Sequence, residues 1–355
     1  MIRVRLLQAG LFLSALVAAR ILLGDASVSF PRPKLLSETG LYVDLPKQQI
    51  APANFSYSPQ YPLWSDGAAK QRWFYLPDSE KIDASDPNNW KYPVGTKFWK
   101  EFSFGARVET RLIEKVAPDR WEYATYVWRE NGSDAELAPD RGLRNHAEIA
   151  NGIRHDIPGV YDCKACHEGT GRDIVLGFNA LQLSPVRDSL APHAEPLLPN
   201  MITLTDLVNS GILINQPESA FDSPPVIRAA TPRARASLGY LWSNCGGCHN
   251  AHDPLASVGM VLKLPLDTMF ANRAVDLPTV IGHPSKYSIP GLPDGESYRV
   301  LPGDTTRSSL VYRMRSRNPV RQMPPLGTKI ADEEAIHLIS DWILTDLVRE
   351  VSDKK

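Results

Sequence analysis

The chain has 355 residues with a formal net charge of −1, and 43% of its residues are hydrophobic. This length predicts two or three domains, and this hydrophobic content is sufficient for ordinary globular cores. A nearly neutral chain is not expected to be a general nucleic-acid-binding protein, since that class is strongly basic. The 30 prolines predict long irregular connections between the elements.

The first predicted element is a secretory signal and leader over residues 1–29. Arg3 and Arg5 precede an apolar run over residues 6–16, and residues 17–19 supply small side chains for cleavage. The uninterrupted apolar stretch is shorter than the roughly 20 residues that span a bilayer. The sequence therefore predicts export to the periplasm, with association with the inner membrane only if the segment stays uncleaved.

Residues 30–145 are predicted to form a β-sandwich-like domain. Three stretches, 96–104, 108–116 and 121–129, are rich in aromatic and β-branched residues, which favour strands. The short turns between them predict a meander. Residues 64–67, Trp-Ser-Asp-Gly, are interpreted as a turn rather than as a catalytic serine, because no base partner stands out nearby.

Two attachment motifs for c-type haem follow. The first is Cys163-Lys164-Ala165-Cys166-His167 in a region over residues 146–227, and the second is Cys245-Gly246-Gly247-Cys248-His249 in a region over residues 228–355. Two cysteines two residues apart, with histidine after the second, form the attachment sequence for c-type haem. Positions i, i+3 and i+4 share one face of a helical turn, so both cysteines can reach the vinyl groups of one porphyrin. The histidine then lies under the iron as the proximal ligand.

A single CxxCH motif can also be a zinc half-site, a redox dithiol or a chance match. The two motifs together use all four cysteines of the chain, and histidine follows each pair. A zinc site needs no histidine at that position, and redox CxxC pairs occur in a strand–helix context. The sequence therefore predicts two covalently bound haem c groups with iron.

The sixth ligand of the first iron stays open. No Met-Pro loop follows the first motif, and the candidates are Met201, His193, His155 or water. An open position would permit chemistry on peroxide, which also needs a nearby acid–base group. Glu168 and Asp173 lie close to the motif and could supply one.

The second region is predicted to be a class I-like cytochrome c domain. A helix over residues 233–244 leads into the motif, and an amphipathic helix over residues 331–348 ends the region. Met323 in a proline-rich loop is the predicted sixth ligand, with Met260 and Met314 as rivals. Histidine and methionine on opposite faces give the raised-potential iron of an electron carrier.

Five arginines before this loop form either a solvated face or a group that pairs with haem propionates or steers an acidic partner. They are Arg307, Arg313, Arg315, Arg317 and Arg321. The long interval between the motif and Met323 predicts an insertion over residues 250–304. The fold class predicted for the whole chain is α+β and multidomain. A β-sandwich-like domain would precede mainly α-helical cytochrome c haem-binding regions.

With both motifs in place, the chain resembles a family of exported bacterial di-haem c-type cytochromes with an amino-terminal β domain. Besides the two motifs, the segments that carry this resemblance are Tyr61–Trp73, Tyr92–Thr96, Glu109–Leu112, Tyr126–Trp128 and Pro302–Pro325. The resemblance covers nearly all of the chain after the signal. It implies c-type haem and electron transfer, with roles for Cys163, Cys166, His167, Cys245, Cys248, His249 and Met323.

The predicted function is outer-sphere electron transfer in the periplasm, in which each iron cycles between its ferrous and ferric states. The predicted partners are a dehydrogenase as donor and a cytochrome or oxidase as acceptor. Two alternatives stay open. One is a di-haem peroxidase with an open first haem, and the other makes the haems structural and the β domain the working part.

Overall fold

A six-stranded antiparallel sheet is the largest element of the protein. The structure is a computed structural model that describes residues 31–168, 174–216, 224–252, 257–270 and 276–353. The predicted signal segment lies outside these ranges. Within them, no helix has the length and hydropathy that a bilayer crossing requires.

The six-stranded sheet has the strand order β3-β4-β6-β7-β8-β9, and three two-stranded sheets, β1-β2, β10-β11 and β5-β12, lie outside it. The strands are β1 Tyr42–Asp44, β2 Gln49–Ile50, β3 Asn54–Ser56, β4 Ala69–Tyr75, β5 Ile82–Asp83, β6 Lys97–Phe104, β7 Ala106–Ala117, β8 Arg120–Trp128, β9 Ala135–Leu137, β10 Leu143–Ala150, β11 Ile153–Ile157 and β12 Leu213–Ile214. The three strands predicted for the meander are confirmed as β6, β7 and β8.

Successive side chains of a strand point to opposite sides of the sheet, so both faces of the six-stranded sheet carry apolar side chains. Both faces are covered by other parts of the chain. On one face, Trp73 and Trp99 belong to a buried cluster with residues 36–45. On the other face, Phe74 and Phe98 pack with Phe178 and other residues from the region after the first motif. Within the described ranges the cover comes from irregular chain and short helices and not from a second large sheet. The predicted sandwich-like arrangement is therefore wrong.

The prediction of mainly α-helical haem-binding regions is also wrong. The described part of the chain is mostly β-rich, and its helices are short and separated by turns and extended segments. The helices are α1 Val160–His167, α2 Leu204–Asn209, α3 Pro232–Asn244, α4 Leu266–Phe270, α5 Ser309–Arg315, α6 Glu333–Asp341 and α7 Leu347–Asp353. Proline has no N–H to donate and clashes with the preceding turn, so the proline-rich connections of this region do not continue the helices.

Two of the predicted helices do form, and they pack together. Helix α3 contacts α6 and the π-helical turn Trp342–Asp346 that follows it. Leu241 in α3 and Ile336 and Ile339 in α6 belong to one buried core, which we call the carboxy-terminal core. The described residues from Pro33 onward belong to one compact unit.

Candidate haem-binding sites

The first CxxCH motif occupies helix α1, which packs on strand β8. The carboxylate of Asp162 accepts a hydrogen bond from the Gly159 N–H at 2.9 Å and caps the helix. Cys163 and Cys166 are three residues apart and share one helix face. Burial raises the pKa of the Cys163 thiol to about 11, so this thiol is neutral. The local structure therefore presents both sulfurs to one side, as a single porphyrin requires.

His167 is oriented by the backbone. Its Nδ1 lies 2.6 Å from the carbonyl oxygen of Ile174. A carbonyl only accepts hydrogen bonds, so Nδ1 carries the proton and Nε2 keeps its lone pair. Burial lowers the pKa of His167 to about 4, with Lys100 and Arg111 contributing, so the ring stays neutral. Histidines that bind metals commonly donate their second N–H in this manner.

The second motif begins where helix α3 ends. Cys245 is the C-cap residue of this helix, and its N–H donates to the carbonyl oxygen of Leu241 at 3.0 Å. The N–H groups of Cys248 and His249 donate to the Cys245 carbonyl at 3.1 and 2.8 Å, so the motif continues as a helical turn. Burial raises the pKa of the Cys245 thiol to about 12. Gly246 is required here, because a Cβ would collide with the carbonyl oxygen of Trp242.

The loop that carries Met323 is tied to helix α5 and the chain after it. The Met323 N–H donates to the Arg313 carbonyl at 2.9 Å, and the Arg317 guanidinium donates to the Met323 carbonyl at 3.3 Å. Arg317 lies within electrostatic range of Tyr240, and Tyr240 lies within that range of Cys245. Tyr240 is therefore a common neighbour of Arg317, which holds the methionine loop, and of Cys245 in the second motif.

The rival methionines have apolar surroundings. Met314 is buried in the carboxy-terminal core, and Met260 packs against that core from outside. Met323 is half-buried in a loop. The sulfur of a methionine that packs in or against a core is surrounded by apolar side chains. Met323 therefore stays the predicted ligand.

Two of the candidate ligands for the first iron are engaged elsewhere. His193 has Nε2 at 2.8 Å from Asp332 and Nδ1 at 3.2 Å from Glu334, both at the start of α6. Buried His155 has Nε2 at 2.9 Å from Glu109 and Nδ1 at 3.6 Å from a carboxylate oxygen of Asp66. A ring nitrogen that faces a carboxylate is not available to iron. Met201 is half-buried and has no such partner in the described ranges, and Asp173 lies outside them.

The segment Tyr61–Trp73 contacts both motif regions, which the sequence did not predict. The Trp64 N–H donates at 2.7 Å to Asn244, the residue before Cys245. Asp66 accepts backbone N–H groups at 2.7 and 3.0 Å from residues 329 and 330, after the methionine loop. The other oxygen of Asp66 faces His155. The turn predicted for residues 64–67 is confirmed, because Asp66 and Gly67 have φ values of 55° and 80°.

A buried acid–base cluster connects this segment with the first motif. Glu109 is fully buried, and its carboxylate pairs with the Arg111 guanidinium at 2.6 Å and with His155. Arg111 in turn lies within electrostatic range of Cys163 and Cys166. Burial lowers the pKa of His155, but its hydrogen bonds to Asp66 and Glu109 outweigh burial and raise that pKa above its usual value. The cluster therefore holds charge close to the first motif.

The five arginines near the methionine loop have different surroundings. Arg307 pairs with Glu296, Arg313 lies 4.8 Å from the ring centre of Tyr287, and Arg317 holds the Met323 carbonyl. The remaining two, Arg315 and Arg321, are exposed. The group is thus partly structural and partly solvated, and an interaction with propionates or with a partner stays a prediction.

The residues of both motifs fit a c-type haem in their chemistry. Within the described ranges, no group of three or more His, Cys, Asp or Glu side chains could hold a metal ion by itself. A haem iron takes four nitrogens from the porphyrin and needs only axial ligands from the protein. No family model, curated protein or solved structure matches the chain. The resemblance to di-haem cytochromes therefore rests on the motifs and segments of the sequence itself.

Proposed function

We propose that the protein is a periplasmic di-haem c-type cytochrome that transfers electrons between redox partners. The observation that carries this proposal is the orientation and neutral charge of His167 beside two helical cysteines. Its Nδ1 is held by the Ile174 carbonyl, and its neutral ring keeps a lone pair on Nε2. A core histidine with a purely structural role needs no such arrangement beside paired thiols.

When bound, each haem supplies a one-electron couple at its iron. The chain would attach the first haem through Cys163 and Cys166, with His167 as proximal ligand. It would attach the second through Cys245 and Cys248, with His249 as proximal ligand and the Met323 sulfur as distal ligand. The protein excludes water, fixes the ligands and sets the charge near each iron. Outer-sphere transfer changes no bond in a substrate.

Transfer between the two haems is supported by the segment Tyr61–Trp73. It contacts the second motif through Trp64 and Asn244, and it contacts the buried cluster near the first motif through Asp66 and His155. Packed and hydrogen-bonded contacts of this kind keep two redox groups at a fixed separation. We infer that an electron enters at one haem and leaves at the other. Donor and acceptor are proposed to be a dehydrogenase and a cytochrome or oxidase.

The experiment is a redox titration of the purified full chain, followed by optical and electron paramagnetic resonance spectra. We expect two one-electron haem couples, a methionine-to-iron charge-transfer band in the oxidised protein, and low-spin signals from both irons. Peroxide added to the half-reduced protein should cause no rapid turnover. Absence of any haem spectrum from protein made in cells that attach c-type haem would contradict the proposal.

A di-haem peroxidase is the second candidate, and the buried cluster near the first motif favours it. Reduction of hydrogen peroxide to two waters consumes two electrons and two protons, so it needs an acid–base group and a cation. Glu109 and His155 offer acid–base groups, and Arg111, which pairs with Glu109, offers a cation within electrostatic range of Cys163 and Cys166. A high-spin first haem with peroxide-dependent oxidation of the second would favour this candidate over the carrier.

A further inference from the structure

Three positively charged side chains lie in one row across the six-stranded sheet. Arg72 in β4 pairs directly with Lys100 in β6, and Lys100 pairs directly with Arg111 in β7. Residues paired in this way project from the same face of the sheet. We call these three residues the cation row. Lys70, two residues before Arg72, projects from the same face beside the row.

Like charges directly opposite one another destabilise a sheet unless an anion lies between them. The described ranges supply only part of that negative charge. Glu195 forms an ion pair with Arg72, and Glu109 forms one with Arg111. Lys100 and Lys70 have no carboxylate within ion-pair distance there, although Lys70 donates to the Leu63 carbonyl at 2.8 Å.

Burial makes this arrangement more costly. Arg72 is almost completely buried, and Lys100 is half-buried. Burial lowers the pKa of Lys100 well below its usual value, and the neighbouring Arg72 and Lys70 lower it further. Burial, together with Arg72 and Arg111, lowers the pKa of Lys70 to about 8. Lys70 and Lys100 lie beside the guanidinium groups of Arg72 and Arg111, so further negative charge nearby would stabilise their charged ammonium forms.

The cation row lies next to the first motif and not the second. Arg111 lies within electrostatic range of Cys163 and Cys166, and both Lys100 and Arg111 lie within range of His167. A porphyrin attached through its vinyl groups carries two propionate carboxylates on its opposite half. Guanidinium and ammonium groups are the usual partners of such carboxylates.

We propose that the cation row, together with Lys70 beside it, binds the propionate carboxylates of the haem attached at Cys163 and Cys166. This inference rests on the proposed function. Two propionates supply two negative charges, one for each of Lys70 and Lys100, which have no carboxylate within ion-pair distance in the described ranges. The row thereby orients the first haem on the sheet and raises the preference of its iron for the ferrous state, because nearby positive charge disfavours the ferric state.

The test is Lys100→Met in the haem-loaded full chain, with Lys97→Met as the matched control. Both lysines lie on β6, but they project from opposite faces of the sheet, and Lys97 instead lies 3.7 Å from Glu114. We expect Lys100→Met to shift the reduction equilibrium of the first haem about tenfold toward the ferric state, which is about 59 mV for a one-electron couple. The other haem, and both haems of Lys97→Met, should change little.

A second measurement asks whether Lys100→Met raises or lowers the free energy of unfolding. In the haem-loaded chain, Lys100→Met should lower the free energy of unfolding, because it removes a partner of the propionate. In a background with both Cys163 and Cys166 replaced by serine, the same substitution should raise that free energy, because it removes only repulsion. Unfolding by urea, followed by tryptophan fluorescence, measures both.

Three outcomes separate this inference from the proposed function. If two haems are present but Lys100→Met leaves both potentials unchanged, the inference is overturned and the proposed function stands. If the effect of Lys100→Met depends on added succinate or phosphate, a free anion occupies the row and the inference is overturned. If no haem is found by mass, both fail together.

Discussion

The two CxxCH regions share one short sequence pattern and differ in everything around it. The first lies on helix α1 against the six-stranded sheet, with a buried acid–base cluster and the cation row nearby. The second lies at the end of helix α3 against the carboxy-terminal core, and Tyr240 of that core is a neighbour of both Cys245 and Arg317. Under the proposed function, the motif would supply the attachment cysteines and the proximal ligand. The surroundings would then supply the remaining ligand and the charge near each iron.

This difference implies that the two haems reach their potentials by separate physical means. At the second site, a thioether ligand from Met323 would stabilise the ferrous state under the proposed function. At the first site, positive charge from Lys100 and Arg111 would do so without a methionine loop. Substitutions in one region should therefore leave the potential of the other almost unchanged.

The largest expected effect is the loss of one haem from each pair of cysteine substitutions. Replacing Cys163 and Cys166 by serine should reduce the covalent haem content from two to one, and replacing Cys245 and Cys248 should do the same. Each variant is the control for the other, because both remove two half-buried thiols from a helical turn. The mass of the denatured protein measures the content. Loss of both haems from one variant would show that the two sites do not assemble independently.

Met323→Ala should lower the midpoint potential of the second haem by an amount on the order of 0.1 V, since axial ligands set haem potentials over about 0.8 V. The methionine-to-iron band should disappear from the oxidised spectrum. Met260→Ala is the control, because Met260 packs against the carboxy-terminal core. A band that survives in Met323→Ala and disappears in Met260→Ala would show that Met260 is the ligand.

His155→Leu should lower the free energy of unfolding by about 3 kcal/mol, because it removes the buried histidine that faces both Glu109 and Asp66. The folded-state pKa of His155 is raised, so its contribution is fully present below the unfolded pKa of about 6.5. That contribution declines as the pH rises through the folded pKa. Urea unfolding of both proteins at several pH values measures the difference.

The exposed His283 offers a control for this experiment, since His283→Gln should change stability little at any pH. A difference between wild type and His155→Leu that grows as the pH rises would contradict the interpretation of a charged His155. The potential of the second haem should stay constant in His155→Leu, because the cluster lies near the first motif.

The smallest expected effect comes from Trp64→Phe. The indole N–H of Trp64 donates to the Ile330 carbonyl at 3.0 Å, and phenylalanine cannot replace this bond. The free energy of unfolding should fall by about 1 kcal/mol. An unchanged free energy of unfolding in Trp64→Phe would weaken the role given to the segment Tyr61–Trp73.

The sequence predicted what depends on neighbours along the chain. Strands β6 to β8 follow from their aromatic and β-branched residues, and α3 follows from an apolar stripe that ends at Cys245. The attachment motifs follow from spacing alone. The helical content of the haem-binding regions was overestimated, because apolar residues between the prolines are buried by irregular chain rather than by long helices.

What the sequence could not predict depends on pairing between distant residues. Arg72, Lys100 and Arg111 form a row only because of the register of three strands, and one residue of slip would move one of them to the other face. The contacts of Asp66 with residues 329 and 330 likewise depend on tertiary folding. A charged residue inside a predicted strand can be recognised in the sequence, but the sequence does not show which residue it pairs with.

Whether this chain is a di-haem cytochrome can be decided by the mass of the intact mature protein, made in cells that attach c-type haem and then denatured in acid-acetone. We expect a mass equal to the polypeptide plus two haems, with neither haem released by the denaturation. A polypeptide mass without haem, or with zinc bound in its place, would contradict the proposed function.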